Sequence, residues 1–260
     1  MINYGLRLCL TVAPLFTLLL LWELATDYAW IDYRFYPAPS AIIIYTFSTA
    51  TDHLFDDISA SLRRIAIGYI VGVLLGIMFG LLMGLNRIVR MGLYPLIAVT
   101  YPIPKIAILP LIMLVFGIDE APKIVVVIIG SFFLVLLNTL HGVDSMGRIY
   151  HDVARVNKIR LFDYVSRIIF PGALPSIFTG LKLAIGYSLV IVVAAEFSGA
   201  NAGIGYMIWQ SWEAFEIKAV YSGIFVIGVI GFVFMFVLEW LERVCIPWQT
   251  GKQGIYQLPV

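Results

Sequence analysis

The chain contains few charged residues. Only 13% of its 260 residues are Asp, Glu, Lys or Arg, whereas 61% are hydrophobic. Soluble domains contain about 25% charged and about 45–50% apolar residues, so this composition excludes an ordinary soluble domain and predicts a protein of the lipid bilayer. The formal net charge of +1 says little about partners, because in a membrane protein the position of each charge matters more than the sum.

Cysteine and histidine are scarce as well. Cys9 and Cys245 lie in apolar segments near opposite ends of the chain, which favours neither a disulfide framework nor a metal site. His53, His141 and His151 are scattered, with no second Cys or His at ligand spacing. We therefore expect no metal site in this chain.

Motifs for nucleotide binding and catalysis are missing. The single Gly-Lys pair, at 251–252, is followed by Gln and lacks the upstream glycine of a phosphate-binding loop. The segment 203–208, GIGYMI, lacks the third glycine of a dinucleotide fingerprint. No Ser/His/Asp set lies on spans that can face each other. We expect neither enzymatic activity nor a cofactor in this chain.

Long apolar runs predict an all-α integral membrane protein with about six spans in a single transmembrane domain, since a spanning helix needs about 20 residues. The first run follows Arg7 as in a signal peptide, but it is long and has no small-x-small cleavage site before Asp27, which favours an uncleaved span. The segment 40–57 is too short to cross and is expected to form a surface or re-entrant helix. The spans are predicted at roughly 6–25, 65–85, 93–116, 123–140, 177–195 and 221–241.

Glycine recurs every fourth residue in the second predicted span. Four residues advance about 400° around a helix, so these glycines form one slowly drifting groove. Such a groove lets another helix approach closely where lipid removes the hydrophobic drive for association. We favour packing within the chain over a groove for a second subunit. The residues are Gly68, Gly72, Gly76, Gly80 and Gly84.

The third predicted span is interrupted by four prolines and contains Lys105 in the sequence YPIPKIAILP. Each proline removes a backbone donor and kinks a helix, so this span is expected to be broken and to border a polar pathway. A buried ammonium is costly, and Lys105 should reach an interface, the alternative we favour, or face a cavity. Lys105 and Glu196 are the candidate contacts of a solute.

Lys and Arg are distributed unevenly between alternate loops. One set of loops carries mainly Arg34, Lys123 and Lys218, although Arg63 and Arg64 before the second span oppose the trend. Basic residues collect in cytoplasmic loops, so both termini and the richer loops are expected to face the cytoplasm. Those richer loops and the C-terminal tail carry Arg87, Arg90, Arg148, Arg155, Lys158, Arg160, Arg167, Arg243 and Lys252.

The longest polar interruption between apolar regions is the segment 144–175. Apolar residues at 149, 153, 156 and 159 follow helical spacing and predict a short amphipathic helix. Such a helix between two spans can lie on the lipid, cap the bundle or bind a soluble partner. Its polar face would carry His151, Asp152, Arg155 and Lys158.

This segment resembles the cytoplasmic loop of permease subunits of bacterial ATP-binding-cassette importers, which has the form E-A-A-x3-G-x9-I-x-L-P. Residues 152–154 match the E-A-A part, Lys158 stands at the glycine, and Ile168 and 170–171 stand at I and L-P. The spacing is kept, while the acidic residue, one alanine, the glycine and the leucine are substituted. Further blocks resemble the sulfonate, taurine and nitrate branch over roughly 61–248, among them SLRRIAIGYIVGVLLGIMFGLLMG, PIPKIAILPLIMLVFGI, FPGALPSIFTGLKLAIGYSLVIVVAAEF and AGIGYMIW.

The resemblance implies a type I importer permease with a core fold over 58–248 and a coupling loop over 144–175. It implies two separate ATPase subunits that bind ATP and Mg²⁺, a second copy of this permease, a periplasmic or lipid-anchored solute-binding protein, and the bacterial inner membrane. It implies no nucleic acid partner. The coupling residues would be Ile149, Asp152, Val153, Ala154, Arg155, Val156, Asn157, Lys158, Ile168, Phe170 and Pro171.

Lys158 departs from the family pattern. The family glycine permits a left-handed turn, which costs a residue with a β-carbon about 1–2 kcal/mol. Two alternatives follow: the turn has moved to Asn157, or the helix continues through Lys158. For the function, the importer permease competes with a stand-alone carrier or channel, whereas an intramembrane enzyme lacks any catalytic set.

Overall fold

The computed structural model describes residues 4–48, 52–147, 150, 152, 154 and 156–249. All regular elements within these ranges are helical. They are α1 (Tyr4–Asp27), α2 (Pro39–Ser48), α3 (Asp52–Leu85), α4 (Arg87–Thr100), a 3-10 turn (Lys105–Ile108), α5 (Leu109–Phe116), α6 (Glu120–Asp144), α7 (Leu161–Glu196), α8 (Ile204–Glu213), α9 (Ile217–Cys245) and a last 3-10 turn (Pro247–Gln249).

Four of these helices are long and apolar enough to cross a membrane: Leu54–Leu85 within α3, together with α6, α7 and α9. A fifth span is possible if α4 and the segment Lys105–Phe116, which meet at a bend of 89°, count as one. The proline-rich third span is therefore broken, as predicted. The first predicted span lies within α1, and its crossing of a membrane stays a prediction. The predicted short helix in 40–57 is α2.

Three predicted boundaries were wrong. Helix α3 begins at Asp52, so the polar connection before the second span is shorter than expected. Arg87 and Arg90 lie in the first turn of α4, because the Asn86 side chain accepts hydrogen bonds from the N–H groups of Ile88 and Val89 and starts the helix there. Helix α7 begins at Leu161 and runs on into the fifth span, so the end of the polar segment 144–175 is helical.

The glycine groove of α3 lies against α6 of the same chain. A β-carbon placed on Gly68, Gly72 or Gly76 would lie only 2.6–2.8 Å from atoms of α6. The two helices match in register, since the α6 side chains that face the groove also recur every fourth residue. These side chains are Val127, Ser131, Val135, Thr139 and Val143, with Gly80 and Gly84 facing the last two. At these glycines the groove serves internal packing and is closed to a second subunit.

Two compact units are found in the chain, and each has its own contacts. Residues 1–60 and 201–228 form the first unit. In it, Thr46 donates a hydrogen bond to the hydroxyl of Ser222, and the carboxylate of Asp57 accepts one from the N–H of Gly203 at the start of α8. The single transmembrane domain over 1–260 stays a prediction.

Residues 61–200 and 229–260 form the second unit. Its main core lies where α6 packs lengthwise on α7, with contributions from α3, α5 and α9. Its most buried members are Ile65, Leu109, Val126, Val127, Ile191, Val192 and Ala195. The coupling segment, the broken span and a network of buried charges all belong to this unit.

Candidate functional sites: the coupling segment and the buried charges

The helical residues that the structure describes in the first half of the coupling segment are followed by a left-handed turn. Asp152, Ala154 and Val156 are helical; Ala154 is buried, while Asp152 and Val156 face outward. Val156 is 80% exposed. Ile149, Val153 and Arg155, also predicted as coupling residues, lie outside the described residues.

The turn is at Lys158. Its φ of 50° is left-handed, and the N–H of Ile159 donates to the carbonyl of Ala154 at 3.1 Å. A bond across this spacing with a left-handed residue just before the donor is the Schellman ending of a helix. Both hypotheses for this position were wrong. The turn has not moved to Asn157, and the helix does not continue, so Lys158 itself adopts the conformation of the family glycine.

Replacing Lys158 with glycine is expected to stabilise this turn by about 1 kcal/mol, because glycine adopts a positive φ without the clash of a β-carbon. Hydrogen exchange at the amide of Ile159, the donor that closes the turn, should slow by about fivefold. Faster exchange in Lys158→Gly than in the wild type would contradict a strained turn. Lys158→Ala, which keeps a β-carbon, is the control and should leave the exchange rate nearly unchanged.

The second half of the segment lies at the start of α7. Residues Val165–Ile169 form a π-helical stretch, which ends where Pro171 supplies no N–H donor. Ile168 and Pro171 line a cavity of about 410 Å³ together with Tyr150, Arg167 and Trp248. Phe170 stands beside them, 36% exposed. Ile168 and Pro171 thus share one side of the helix start.

Lys105 is buried in the break between α4 and α5. Its ammonium donates to the carbonyls of Thr100, Tyr101 and Ile103 at 2.7, 3.0 and 2.9 Å. The break in the helix leaves these carbonyls without their helical donors. It also lies 4.3 Å from the centre of the Phe133 ring. The preferred expectation, a side chain reaching an interface, was wrong, because the broken backbone offers the ammonium enough acceptors to stay inside.

Glu196 belongs to a buried network of charges at the far ends of α3, α6 and α7. Its carboxylate is 0% exposed and accepts hydrogen bonds from Ser61 at 2.8 and 3.0 Å and from Arg64 at 2.6 Å. Arg64 also binds Glu120 through two bonds of 2.7 and 2.6 Å. The carboxylate of Glu196 is therefore buried among these partners in this conformation, and its contact with a solute stays a prediction.

Lys123 lies next to this network and is likewise buried. Its ammonium donates to the carbonyl of Asp119 at 2.9 Å, one turn earlier. At the opposite end of α6, Arg90 forms two hydrogen bonds with Asp144, of 2.7 and 2.8 Å. These bonds join the start of α4 to the end of α6.

Sequence reasoning missed Arg64, Glu120 and Lys123 as a group. One signal was present: Arg63 and Arg64 opposed the charge distribution of the loops, and an arginine in such a place needs a partner. The partner could not be identified, because Glu120 and Glu196 lie far away along the chain.

Comparison with known proteins identifies the kind of chain that this fold resembles. The family model described as "Binding-protein-dependent transport system inner membrane component" matches residues 72–247. A putative aliphatic sulfonates transport permease of Escherichia coli (strain K12) is 34% identical, over 93% of this chain and 94% of that protein. A nitrate import permease of Leptolyngbya laminosa is 32% identical, over 72% of this chain and 67% of that protein.

A formylaminopyrimidine transport permease of Halalkalibacterium halodurans is 29% identical, over 90% of this chain and 94% of that protein. Among solved structures, a chain of the MetNI methionine ABC transporter in inward-facing conformations superposes with a TM-score of 0.65. It covers 74% of this chain and 95% of its own length, at 15% identity, so it supports the fold alone.

Proposed function

Because the chain belongs to the family of binding-protein-dependent transport system inner membrane components, we propose that it is the transmembrane subunit of an ATP-driven importer. It forms the pathway of a small solute and alternates between states open to either side. Proteins similar to it carry names of sulfonate, nitrate and formylaminopyrimidine permeases. A sulfonate, a nitrate-like anion and a pyrimidine-type precursor are therefore the candidate solutes.

The observation that carries the proposal is the polar segment between the spans α6 and α7. It has the spacing of the family's coupling loop, and it presents an exposed aliphatic side chain, Val156, beside an exposed carboxylate, Asp152. An ATPase groove would bury Val156 and hold Asp152 at its polar edge. Closure of the ATPase dimer around ATP would then push this segment and, through the continuous helix α7, the span that follows it.

The arrangement requires partners that this chain does not contain. Two ATPase subunits would bind ATP and Mg²⁺, a second copy of the permease would complete the pathway, and a solute-binding protein would deliver the solute from the periplasm. The coupling segment and both termini would face the cytoplasm, as the placement of Lys and Arg favours.

The charge-reversing variant Asp152→Lys tests the coupling. In proteoliposomes with the ATPase and the solute-binding protein, we expect ATP-dependent uptake to fall on the order of tenfold, because a like charge at a docking edge opposes association. Hydrolysis by the ATPase should lose its dependence on solute, or the ATPase should dissociate during purification.

Asp56→Lys is the matched control. Asp56 is also an exposed aspartate on a helix, but it lies at the start of α3, far along the chain from the coupling segment. Its reversal should leave solute-dependent hydrolysis unchanged. Full transport by Asp152→Lys, with the ATPase still bound and regulated, would rule out this segment as the coupling site.

A further inference from the structure

A cavity of about 300 Å³ lies beside the break between α4 and α5. Its wall includes the rings of Tyr101, Phe133 and Tyr187 and the buried side chain of Lys105. The cavity is at the small end of the range of ligand pockets, which extends from about 300 to 1,000 Å³. It is therefore large enough for a small solute.

Backbone carbonyls stabilise the charge of Lys105, but they do not neutralise it. All three N–H groups of the ammonium donate to backbone carbonyls, and the side chain is only 5% exposed. No Asp or Glu of the described ranges is paired with it; the salt bridges found there join other residues. Carbonyl dipoles reduce the cost of burying a cation but leave its net charge. The cavity wall therefore includes a cation that is not paired with a carboxylate of the described ranges.

Three aromatic rings form part of the cavity wall. The ring centres of Tyr101 and Phe133 are 6.2 Å apart, and the face of Phe133 is turned to the ammonium. At Gly130 a β-carbon would lie 3.2 Å from the ring of Tyr187, so the missing side chain lets that ring approach α6. The cavity is thus walled by rings that cannot compensate the positive charge of Lys105 in full.

We propose that this cavity is a subsite for a small oxyanion, a sulfonate or nitrate, on its way through the permease; this rests on the proposed transport function. An anion entering the cavity supplies the counter-charge that Lys105 lacks, whereas a solute without an anionic group leaves that charge unbalanced. Because the three N–H groups of the ammonium already donate to carbonyls, the ammonium attracts the anion by its charge without donating a hydrogen bond to it. Transport needs binding of this kind, favourable enough for entry and weak enough for release.

Binding to the purified permease–ATPase complex in lipid nanodiscs, without the solute-binding protein, tests this subsite. The probes are methanesulfonate, nitrate and formylaminopyrimidine, which has no anionic group, each titrated calorimetrically. We expect one or both oxyanions to bind and the pyrimidine not to bind. Lys105→Gln, which keeps donors for the carbonyls but removes the charge, should weaken oxyanion binding about tenfold, and Lys105→Arg should retain it.

A second variant distinguishes the loss of the anion subsite from a loss of folding in Lys105→Gln. Leu134→Glu places a carboxylate on the cavity wall, keeps the bonds of Lys105, and should abolish oxyanion binding by supplying the counter-charge internally. Oxyanion affinity unchanged in both variants would overturn the subsite, as would tight binding of the pyrimidine alone. Neither result would touch the proposed function, which fails only if ATP-driven uptake itself is absent.

Discussion

Replacing Arg64 with methionine is expected to lower the free energy of unfolding by about 3–5 kcal/mol, since it leaves a buried charge without its partner. Arg64 joins Glu196 and Glu120, and with its guanidinium removed the fully buried carboxylate of Glu196 loses the charged donor that lies 2.6 Å away. The measurement is the urea dependence of unfolding in detergent micelles, followed by the fluorescence of the tryptophans.

The neighbouring arginine provides a matched control. The side chain of Arg63 is 62% exposed and reaches Glu120 at 3.3 Å, whereas that of Arg64 is 2% exposed. Arg63→Met should therefore cost no more than about 1 kcal/mol. The double variant Arg64→Met/Glu196→Gln, which removes both buried charges, should recover much of the loss. Equal effects of Arg63→Met and Arg64→Met would contradict a buried network that depends on Arg64.

The second large loss of stability is expected for a substitution at the centre of the glycine groove. In Gly76→Ala the new β-carbon would lie 2.8 Å from the β-carbon of Val135 and 2.9 Å from the carbonyl oxygen of Phe132. Backbone atoms cannot move aside as a side chain end can, so α3 must shift away from α6. We expect a loss of about 1–3 kcal/mol in the same unfolding assay, despite the higher helix propensity of alanine.

Gly186→Ala is the control for this substitution. Gly186 also lies in a membrane-spanning helix, α7, but nothing lies within 4 Å of a β-carbon placed there. Its replacement should be neutral or stabilise by up to about 1 kcal/mol. A Gly76→Ala protein as stable as Gly186→Ala would show that α3 and α6 are not packed through the glycines.

Periodicity in the sequence was enough to predict which face of α3 packs closely. Glycines four residues apart must share a face of a helix, and a face without side chains allows close approach by the backbone of a neighbouring helix. The break of the third span was also predictable, because Pro102 and Pro104 remove two backbone donors within three residues. These features depend on residues close together in the chain.

Features that depend on distant residues were not predictable in the same way. The position of Lys105 depends on three carbonyls that become available only where the chain bends. The partners of Arg64 lie on two other helices, at Glu120 and Glu196. Neither hydrophobic period nor charge distribution contains that information, so Arg64, Glu120 and Glu196 were assigned to loops and span ends, and Lys105 was expected to reach an interface.

The turn of the coupling segment is an intermediate case. Spacing placed Lys158 at the family glycine, and the structure has the left-handed backbone there. The mistake was to expect local preference to prevail, since asparagine at 157 tolerates this conformation better than lysine. The Schellman bond from Ile159 to Ala154 instead holds the turn in its register, so helix-end geometry prevails over residue preference.

The most direct test of the central proposal is ATP-driven uptake by the reconstituted transporter. The permease is co-expressed with its proposed ATPase, purified by a tag on the permease alone, and placed in proteoliposomes with the solute-binding protein. We expect the ATPase to co-purify, and we expect sulfonate, nitrate or a pyrimidine precursor to accumulate only with ATP and the intact ATPase. Accumulation by the permease alone, independent of ATP and of the ATPase, would contradict it and identify a stand-alone carrier or channel.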